Sequence, residues 1–275
     1  MKKEVFKAEI AENKPIADKI YQMVIKAPQI TDNYWPGQFI NVYLDDKSML
    51  LPRPVSISSV SEDTVTLIYK VVGKGTEEMA SKGPGELVRL STNLGNGFRL
   101  EDVFNEIKGT SSVVALVGGG MGIAPLVGLA RLLAKEKKVR GLNDEDLKIV
   151  AFVGFQDEPV LLETLEDSCN RVYFSTESGA KGFKGNVIQL IKKTGIKVDY
   201  YIACGPKPML KTLAQICKNT SIPLQVSLEE RMGCGYGACV GCVSKTKEKE
   251  TSKFKMKKVC ADGPVFFGSE VVWDD

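Results

Sequence analysis

The sequence predicts a multi-domain protein: an N-terminal antiparallel β-barrel, an α/β domain with a parallel sheet, and a small C-terminal cysteine-rich module. Short alternating strands bounded by glycine and proline come first, a strand–helix rhythm follows, and four of the seven cysteines lie beyond residue 223. A chain of 275 residues has room for two compact domains and an appendage, so we place the parts at 1–102, 103–223 and 224–275.

The N-terminal part contains short runs that are rich in β-branched and aromatic residues. Residues 39–44, 65–72 and 86–90 form such runs, and turn-forming sequences such as Trp35-Pro36-Gly37-Gln38 separate them. Strands of this length between tight turns are typical of antiparallel barrels or sandwiches, and we expect a barrel.

The middle part alternates between apolar strands and helical segments. Residues 113–117 are apolar throughout, as in a strand that is buried on both faces, and Gly118-Gly119-Gly120-Met121-Gly122 follows at once. This rhythm predicts a parallel α/β domain. Further strands are predicted at 148–153, 171–175 and 199–204, and helices at 125–136, 161–167, 186–193 and 208–217.

The composition, charge and hydropathy of the chain argue against several classes of protein. The chain has no histidine, which disfavours Ser-His hydrolases, His-ligated zinc enzymes and Rieske centres. A net charge of +3 gives no reason to expect a nucleic-acid partner. No apolar run is long enough to span a membrane, and no apolar segment follows the basic N-terminus as in a secretory signal. We therefore expect a soluble, cytoplasmic protein without structural disulfides.

The clustered cysteines have the spacing of metal ligands. Cys234, Cys239 and Cys242 form a C-x4-C-x2-C pattern, and Cys260 follows after 17 intervening residues. This is the plant-type ferredoxin spacing and predicts a 2Fe-2S cluster on four thiolates. A structural zinc site is the alternative, although such sites usually use two short C-x2-C pairs. Cys169 and Cys217 lack this context, and we expect them in the core.

The glycine run after the first parallel strand suggests a nucleotide site. A pyrophosphate could lie on Gly118, Gly119, Gly120 and Gly122 at the N-terminus of the next helix, although the run departs from the strict GxGxxG pattern and glycine also serves tight turns. Cys204-Gly205-Pro206 ends another strand at the same edge of the sheet, where ligands bind in open α/β sheets. Gln156, Asp157 and Glu158 have no basic neighbour in the sequence, which favours NAD over NADP.

Two segments of the barrel could hold a flavin nucleotide. Arg53-Pro54-Val55-Ser56 offers an arginine for a pyrophosphate and a serine for a flavin ring nitrogen, and Gly73-Lys74-Gly75-Thr76 offers N–H groups and a hydroxyl. Taken singly, these are also the features of a surface arginine and a hairpin turn. The order of the motifs along the chain, and not any single motif, indicates a flavin site.

That order resembles the ferredoxin-NADP reductase superfamily over residues 1 to about 223. With the cysteine module added, the whole chain resembles the electron-transfer subunits of NAD-dependent dihydroorotate dehydrogenases. The resemblance is carried by Leu51-Pro52-Arg53-Pro54-Val55-Ser56, Leu228-Glu229-Glu230-Arg231-Met232-Gly233-Cys234-Gly235 and Val259-Cys260-Ala261-Asp262-Gly263-Pro264-Val265-Phe266.

The resemblance implies FAD on the barrel, a 2Fe-2S cluster on the four cysteines, and NAD on the α/β domain. It also implies a separate FMN-containing catalytic subunit, two copies of each chain in a heterotetramer, and electron flow from dihydroorotate through FMN, the cluster and FAD to NAD+ in pyrimidine biosynthesis. The FAD-binding residues that it implies are Arg53, Pro54, Val55, Ser56, Ile68, Tyr69, Lys70, Gly75 and Thr76.

Hydride exchange between nicotinamide and flavin needs positioning rather than a titrating side chain. We expect Ser56 to touch the flavin near its reactive nitrogen and Cys204 to lie near the nicotinamide. The superfamily usually has an aromatic residue between the arginine and serine of the flavin motif, where this chain has Pro54 and Val55. The segment 244–258 holds seven lysines and predicts a solvated hairpin, or else a docking site for an acidic partner.

Three other functions fit the same motifs. The first is an NAD(P)H-linked flavin and iron–sulfur subunit of another redox complex, such as a transhydrogenase, a sulfhydrogenase or a glutamate synthase-like enzyme. The second is a self-sufficient NADH reductase with a diffusible acceptor, and the third is a zinc-stabilised binding module on a degenerate reductase fold.

Overall fold

Six strands form a closed antiparallel barrel in the computed structural model, which describes residues 3–107, 111–248 and 253–273. Two short helices, α1 (Pro28–Thr31) and α2 (Lys74–Ser81), lie in its connections. The strands are β1 (Val5–Ala17), β2 (Ile20–Lys26), β3 (Phe39–Tyr43), β4 (Arg53–Ser61), β5 (Thr64–Lys70) and β6 (Leu87–Ser91), and they pair in the order β1-β2-β5-β4-β3-β6.

Alternation of side chains along the strands builds the core of the barrel. In β5, Val65 and Leu67 are fully buried, whereas Thr64 and Thr66 are only partly buried, because successive side chains point to opposite faces of a strand. In β3, Ile40 and Val42 point into the same core. The predicted antiparallel barrel is confirmed.

The second part of the chain is a parallel sheet with helices on both faces. The strands β7 (Ser112–Gly119), β8 (Leu147–Phe155), β9 (Arg171–Thr176), β10 (Phe183–Lys184), β11 (Tyr200–Cys204) and β12 (Leu224–Ser227) run parallel. The helices are α3 (Leu100–Glu106), α4 (Ala124–Val139), α5 (Leu162–Glu166), α6 (Val187–Thr194) and α7 (Lys207–Thr220).

Strand β7 shows why its sequence is apolar throughout. Val114 and Leu116 belong to one buried cluster, and Ala115 and Val117 belong to another on the opposite face. Both faces of the strand are therefore covered, as a doubly wound sheet requires. The predicted α/β domain is confirmed.

The C-terminal segment adds a hairpin and one more sheet strand. The hairpin pairs β13 (Val243–Lys247) with β14 (Phe254–Lys258), a short helix α8 (Val259–Asp262) follows, and β15 (Val265–Phe267) pairs antiparallel with β12. The large sheet thus has the order β10-β9-β8-β7-β11-β12-β15. It extends beyond residue 223, and the division at 223/224 stays a prediction.

No helix among the described residues combines the length and apolar composition that are needed to cross a membrane.

Candidate functional site

The four clustered cysteines lie as two pairs in the structure. In the cysteine loop, defined here as residues 233–242, the Cys234 and Cys239 thiols each accept a hydrogen bond from the other residue's backbone N–H at 3.4 Å. The Cys242 thiol accepts one from the Cys260 N–H, also at 3.4 Å. Because a 2Fe-2S cluster takes four thiolates on two irons, two hydrogen-bonded pairs of cysteines are a suitable donor set.

The electrostatics of the two pairs differ. Burial acts to raise the pKa of the Cys234 thiol, but hydrogen bonds from the N–H groups of Cys239 and Tyr236 outweigh it and lower the pKa to about 6. Burial, a hydrogen bond with Cys242 and the charge of Cys242 raise the pKa of Cys260 to about 12. Cys239 is exposed, whereas Cys242 and Cys260 are buried. One pair thus faces solvent and the other faces the core.

Glycine and one lysine hold the cysteine loop in shape. Gly235 and Gly237 have φ angles of 74° and 82°, which favour glycine. The Lys258 ammonium donates to the Gly237 carbonyl at 2.8 Å, and so ties the loop to the end of the lysine-rich hairpin. Within the described residues, no three cysteine, histidine, aspartate or glutamate side chains converge on a single ion position.

The predicted flavin motif and the start of α2 come together on the barrel. Arg53 begins β4, and its guanidinium lies so close to Gly75 that a Cβ there would collide with it. Gly75 and Thr76 are in the first turn of α2, where Gly73 is the N-cap. A guanidinium beside the N–H groups of a helix start is a suitable site for a pyrophosphate.

The other predicted flavin residues lie on β4 and β5, which are adjacent antiparallel strands. Ser56 is half-buried, whereas Ile68 is buried and Lys70 is exposed. Tyr69 faces the barrel core instead: its ring stacks on that of Tyr21 with centroids 5.8 Å apart, and burial raises its pKa to about 12. Only the backbone of Tyr69 is therefore available to a ligand on the outer face.

The glycine loop, residues 118–122, runs from β7 through a 3-10 turn into α4. A Cβ on Gly119 would lie 2.8 Å from Pro206 Cδ, and one on Gly122 would strike the Cys204 carbonyl. Packing therefore requires glycine at both positions, whatever the loop binds. Gly120 differs, because it is exposed, has a φ of 52° and has open space around it. It lies just before the N-terminus of α4, where a phosphate can bind.

Cys204, Gly205 and Pro206 end β11 beside the glycine loop, and Cys204 pairs with Gly118 across the sheet. The Cys204 side chain is only 2% exposed. Burial, with a further effect of the Glu229 charge, raises the pKa of its thiol to about 12. The thiol is therefore protonated at neutral pH and can affect a bound nucleotide by shape, not as a thiolate.

The barrel and the α/β domain meet where β4 contacts α4. The Ser58 hydroxyl donates to the Ala124 carbonyl at 2.9 Å, at the N-terminal end of that helix. Ser56 lies two residues before Ser58 on the same strand. The predicted flavin strand thus borders the predicted nucleotide loop.

Three of the remaining predicted positions lie just beyond the end of β8, the strand that pairs with β7. Gln156, Asp157 and Glu158 are exposed and follow β8. Cys217 is buried and Cys169 partly buried, and burial raises the pKa of each to about 12. The lysine-rich segment forms the β13–β14 hairpin, as predicted, except that residues 249–252 of this prediction lie outside the described residues.

Two residues that the sequence reasoning missed contact the cysteine loop. The Asn41 amide donates to the Cys234 carbonyl at 2.9 Å, and the hydroxyls of Tyr43 and Tyr236 share a hydrogen bond of 2.8 Å. Both bonds join residues that are 193 positions apart. The sequence around Tyr43 gives no signal of such a contact. Around Asn41 the signal is a polar residue between two apolar ones in a predicted strand.

Known proteins support this arrangement. Residues 229–272 match the model of the iron–sulfur cluster binding domain of dihydroorotate dehydrogenase B. The chain is similar to a dihydroorotate dehydrogenase B (NAD(+)) electron transfer subunit of Caldanaerobacter subterraneus subsp. tengcongensis, with 36% identity over 97% of this chain and 98% of that protein. The subunit of the same name from Geobacillus sp. strain WCH70 is 38% identical over 96% of each chain.

A solved structure shows the same architecture over nearly the whole chain. It is that of the NADH-dependent reduced ferredoxin-NADP oxidoreductase, described in connection with flavin-based electron bifurcation. The match has a TM-score of 0.80 and 28% identity, and it covers 97% of this chain and 90% of that one. With the barrel, the α/β sheet and the paired cysteines in place, the chain belongs to the family of dihydroorotate dehydrogenase B (NAD(+)) electron transfer subunits.

Proposed function

We propose that this chain carries electrons from an FMN-containing dihydroorotate dehydrogenase subunit to NAD+, by way of a 2Fe-2S cluster and FAD, in pyrimidine biosynthesis. The observation that carries the proposal is the position of β4. On one side it contacts α4 beside the glycine loop through Ser58, and on the other it pairs with β3, which contacts the cysteine loop through Asn41. The three predicted cofactor sites therefore surround one pair of strands.

In this proposal the chain's residues bind and orient, while the bound flavin and cluster supply the change between two-electron and one-electron transfer. Arg53 and the N–H groups at the start of α2 bind the FAD pyrophosphate, with Thr76 beside them. Pro54, Val55 and Ser56, together with Ile68, Tyr69 and Lys70, flank the flavin ring, and Ser56 is the residue that touches its reactive nitrogen.

The nucleotide binds to the α/β domain and the cluster to the C-terminal cysteine module. The glycine loop and the start of α4 bind the NAD pyrophosphate, and the protonated Cys204 closes the nicotinamide site with Gly205 and Pro206. Cys234 and Cys239 hold one iron, and Cys242 and Cys260 hold the other. The N–H groups that reach the Cys234 thiol stabilise its negative charge.

We further propose a cytoplasmic heterotetramer with two copies of each subunit. The name of the relatives, electron transfer subunit, implies a catalytic partner in those proteins and supports that part of the proposal. The two copies of each subunit come from the sequence resemblance, and the cytoplasm is the expectation drawn from the sequence. A chain that purifies alone and reduces a diffusible acceptor at full rate would instead be a self-sufficient reductase.

The test is the absorption spectrum of the anaerobically purified protein before and after NADH, followed by assay with the dihydroorotate-oxidising subunit. We expect flavin and iron–sulfur absorbance, bleaching of both by NADH, and NAD+ reduction that depends on dihydroorotate when the subunits are combined. A colourless, zinc-containing protein would refute the redox function.

A second candidate is an NADH-linked flavin and iron–sulfur subunit of another complex. The fold match to the NADH-dependent reduced ferredoxin-NADP oxidoreductase favours it. NADH bleaching without any dihydroorotate-dependent activity, together with co-purification of a different redox subunit, would decide for this candidate.

A further inference from the structure

One face of strand β3 lies against the cysteine module, through two hydrogen-bonded positions and a third that shares a buried cluster with two of the cysteines. Phe39 shares a buried cluster with Cys242 and Cys260, the Asn41 amide donates to the Cys234 carbonyl, and Tyr43 bonds Tyr236. Phe39, Asn41 and Tyr43 are two residues apart, so they lie on the outer face of the strand.

The same strand pairs directly with the predicted flavin motif. Phe39 lies opposite Ser56, Asn41 opposite Pro54, and Val42 opposite Arg53. Strand β3 therefore lies roughly 4.8 Å from the strand of the flavin motif, backbone to backbone, and contacts the cysteine loop through side chains of its outer face.

Asn41 is an unusual residue for its position. Its side chain is 0% exposed, and burying an amide is unfavourable unless it forms hydrogen bonds. Its nitrogen bonds the Cys234 carbonyl, while its oxygen has no hydrogen-bond partner among the described residues. A leucine would fill the same volume without this cost. The hydrogen bond to the Cys234 carbonyl of the loop therefore explains why a polar residue occupies this position.

The contact acts on the part of the loop that shapes the Cys234 site. Gly235 packs on the Asn41 amide so closely that a Cβ there would lie 2.6 Å from its nitrogen. The next N–H, that of Tyr236, donates to the Cys234 thiol at 3.3 Å. Asn41 thus holds the Cys234–Gly235 peptide through its hydrogen bond, and its close packing on Gly235 restrains the next peptide, whose N–H reaches the Cys234 sulfur.

We propose that Asn41 is a positioning residue, which locks the Cys234 end of the cysteine loop onto the strand paired with the flavin motif and thereby sets the reduction potential of the cluster. This inference rests on the proposed function, since it assumes that the cysteines hold a cluster. Hydrogen bonds to sulfur favour the more negative, reduced cluster, so a loosened loop should make the cluster harder to reduce.

The experiment compares Asn41→Leu with Asn93→Leu in the full-length holoprotein. Asn93 is a matched control, because it is also buried, bonds a barrel carbonyl, that of Ile30, at 3.1 Å, and has an amide oxygen without a hydrogen-bond partner among the described residues. The readouts are the cluster potential from a redox titration followed by electron paramagnetic resonance, the g values, and the visible circular dichroism.

We expect Asn41→Leu to lower the reduced fraction of the cluster at a fixed potential by up to about tenfold, which is about 59 mV for one electron. Tyr43→Phe should lower the reduced fraction by a smaller factor. This variant still tests the inference if Asn41→Leu does not fold. Asn93→Leu should leave the potential and the spectra unchanged.

Normal spectra and potentials in both Asn41→Leu and Tyr43→Phe would overturn this inference and leave the proposed function intact. An equal shift in Asn93→Leu would also overturn it, because the effect would then follow from general loss of stability. A wild-type protein without any iron–sulfur signal would overturn the proposed function and this inference with it.

Discussion

The first turn of α2 offers a direct test of the FAD site. The Arg53 guanidinium lies over Gly75, and its position is fixed by a hydrogen bond to the Leu51 carbonyl at 2.6 Å. Gly75→Ala places a methyl group where the guanidinium is, so the arginine must move away from the start of α2. The substitution leaves the charge of the site unchanged and alters only the position of the guanidinium.

The expected loss follows from the contact that is broken. A hydrogen bond to a charged group contributes about 1.5–3 kcal/mol, and about 1.4 kcal/mol is a factor of ten in affinity. We therefore expect the dissociation constant of FAD to rise about ten- to hundredfold. Alanine is favoured over glycine in a helix by up to about 1 kcal/mol, so the unliganded barrel should not lose stability.

The assay is titration of the flavin-free protein with FAD, followed by quenching of flavin fluorescence, together with thermal unfolding of the flavin-free form. Gly73→Ala is the matched control: it lies in the same turn, has an extended φ of 167°, and would have no atom within 4 Å of its Cβ. Tight FAD binding by Gly75→Ala, or an equal loss in Gly73→Ala, would refute the placement of the pyrophosphate between Arg53 and α2.

Three further predictions concern the other sites. Cys260→Ser should remove the cluster, measured as iron and sulfide content, whereas Cys217→Ser should keep it; retention in both would contradict the ligand assignment. The acidic Asp157 and Glu158 should give NADH roughly a tenfold or greater advantage over NADPH in kcat/KM, and a preference for NADPH would contradict their role. Burial raises the pKa of Tyr200 from 10.0 to about 12, so the unfolded chain loses this proton first and stability should fall as pH rises from 10.0 towards 12. Tyr200→Phe should reduce that fall by up to about 2 kcal/mol, measured by urea unfolding on both sides of pH 10, and an equal fall in both proteins would contradict it.

Local patterns in the sequence predicted most of the fold. The apolar run of β7 marks a strand that is covered on both faces, and the predicted helix at 186–193 is observed as Val187–Thr194. Its start has a local cause, since the Asn186 side chain accepts from the Gln189 N–H at 3.0 Å and the Gln189 side chain accepts from the Asn186 N–H at 2.9 Å. Such signals are contained within a few residues and can be read without tertiary structure.

Other elements were missed because their own sequences give only weak signals of secondary structure. Helix α2 begins Lys74-Gly75, and glycine disfavours helices; the Thr76 hydroxyl, which accepts from the Val72 N–H at 2.9 Å, shapes its first turn. Strands β12 and β15 are only four and three residues long, and the cysteine spacing beside them suggested a separate module. Their pairing with the large sheet joins that module to the α/β domain.

The position of the predicted cluster site relative to the predicted flavin site is the feature that local patterns could least predict, and it depends on the register of β3. Ile40 and Val42 lie in the barrel core, while Phe39, Asn41 and Tyr43 face the cysteine module. A shift of one residue would exchange the two faces, burying Asn41 in the apolar core and exposing Ile40, so the register is strongly fixed. Because the same strand pairs with the flavin motif, the spacing of the two sites is set by strand pairing and not by a flexible loop. Substitutions at Asn41 and in the motif opposite it should therefore have non-additive effects on electron transfer.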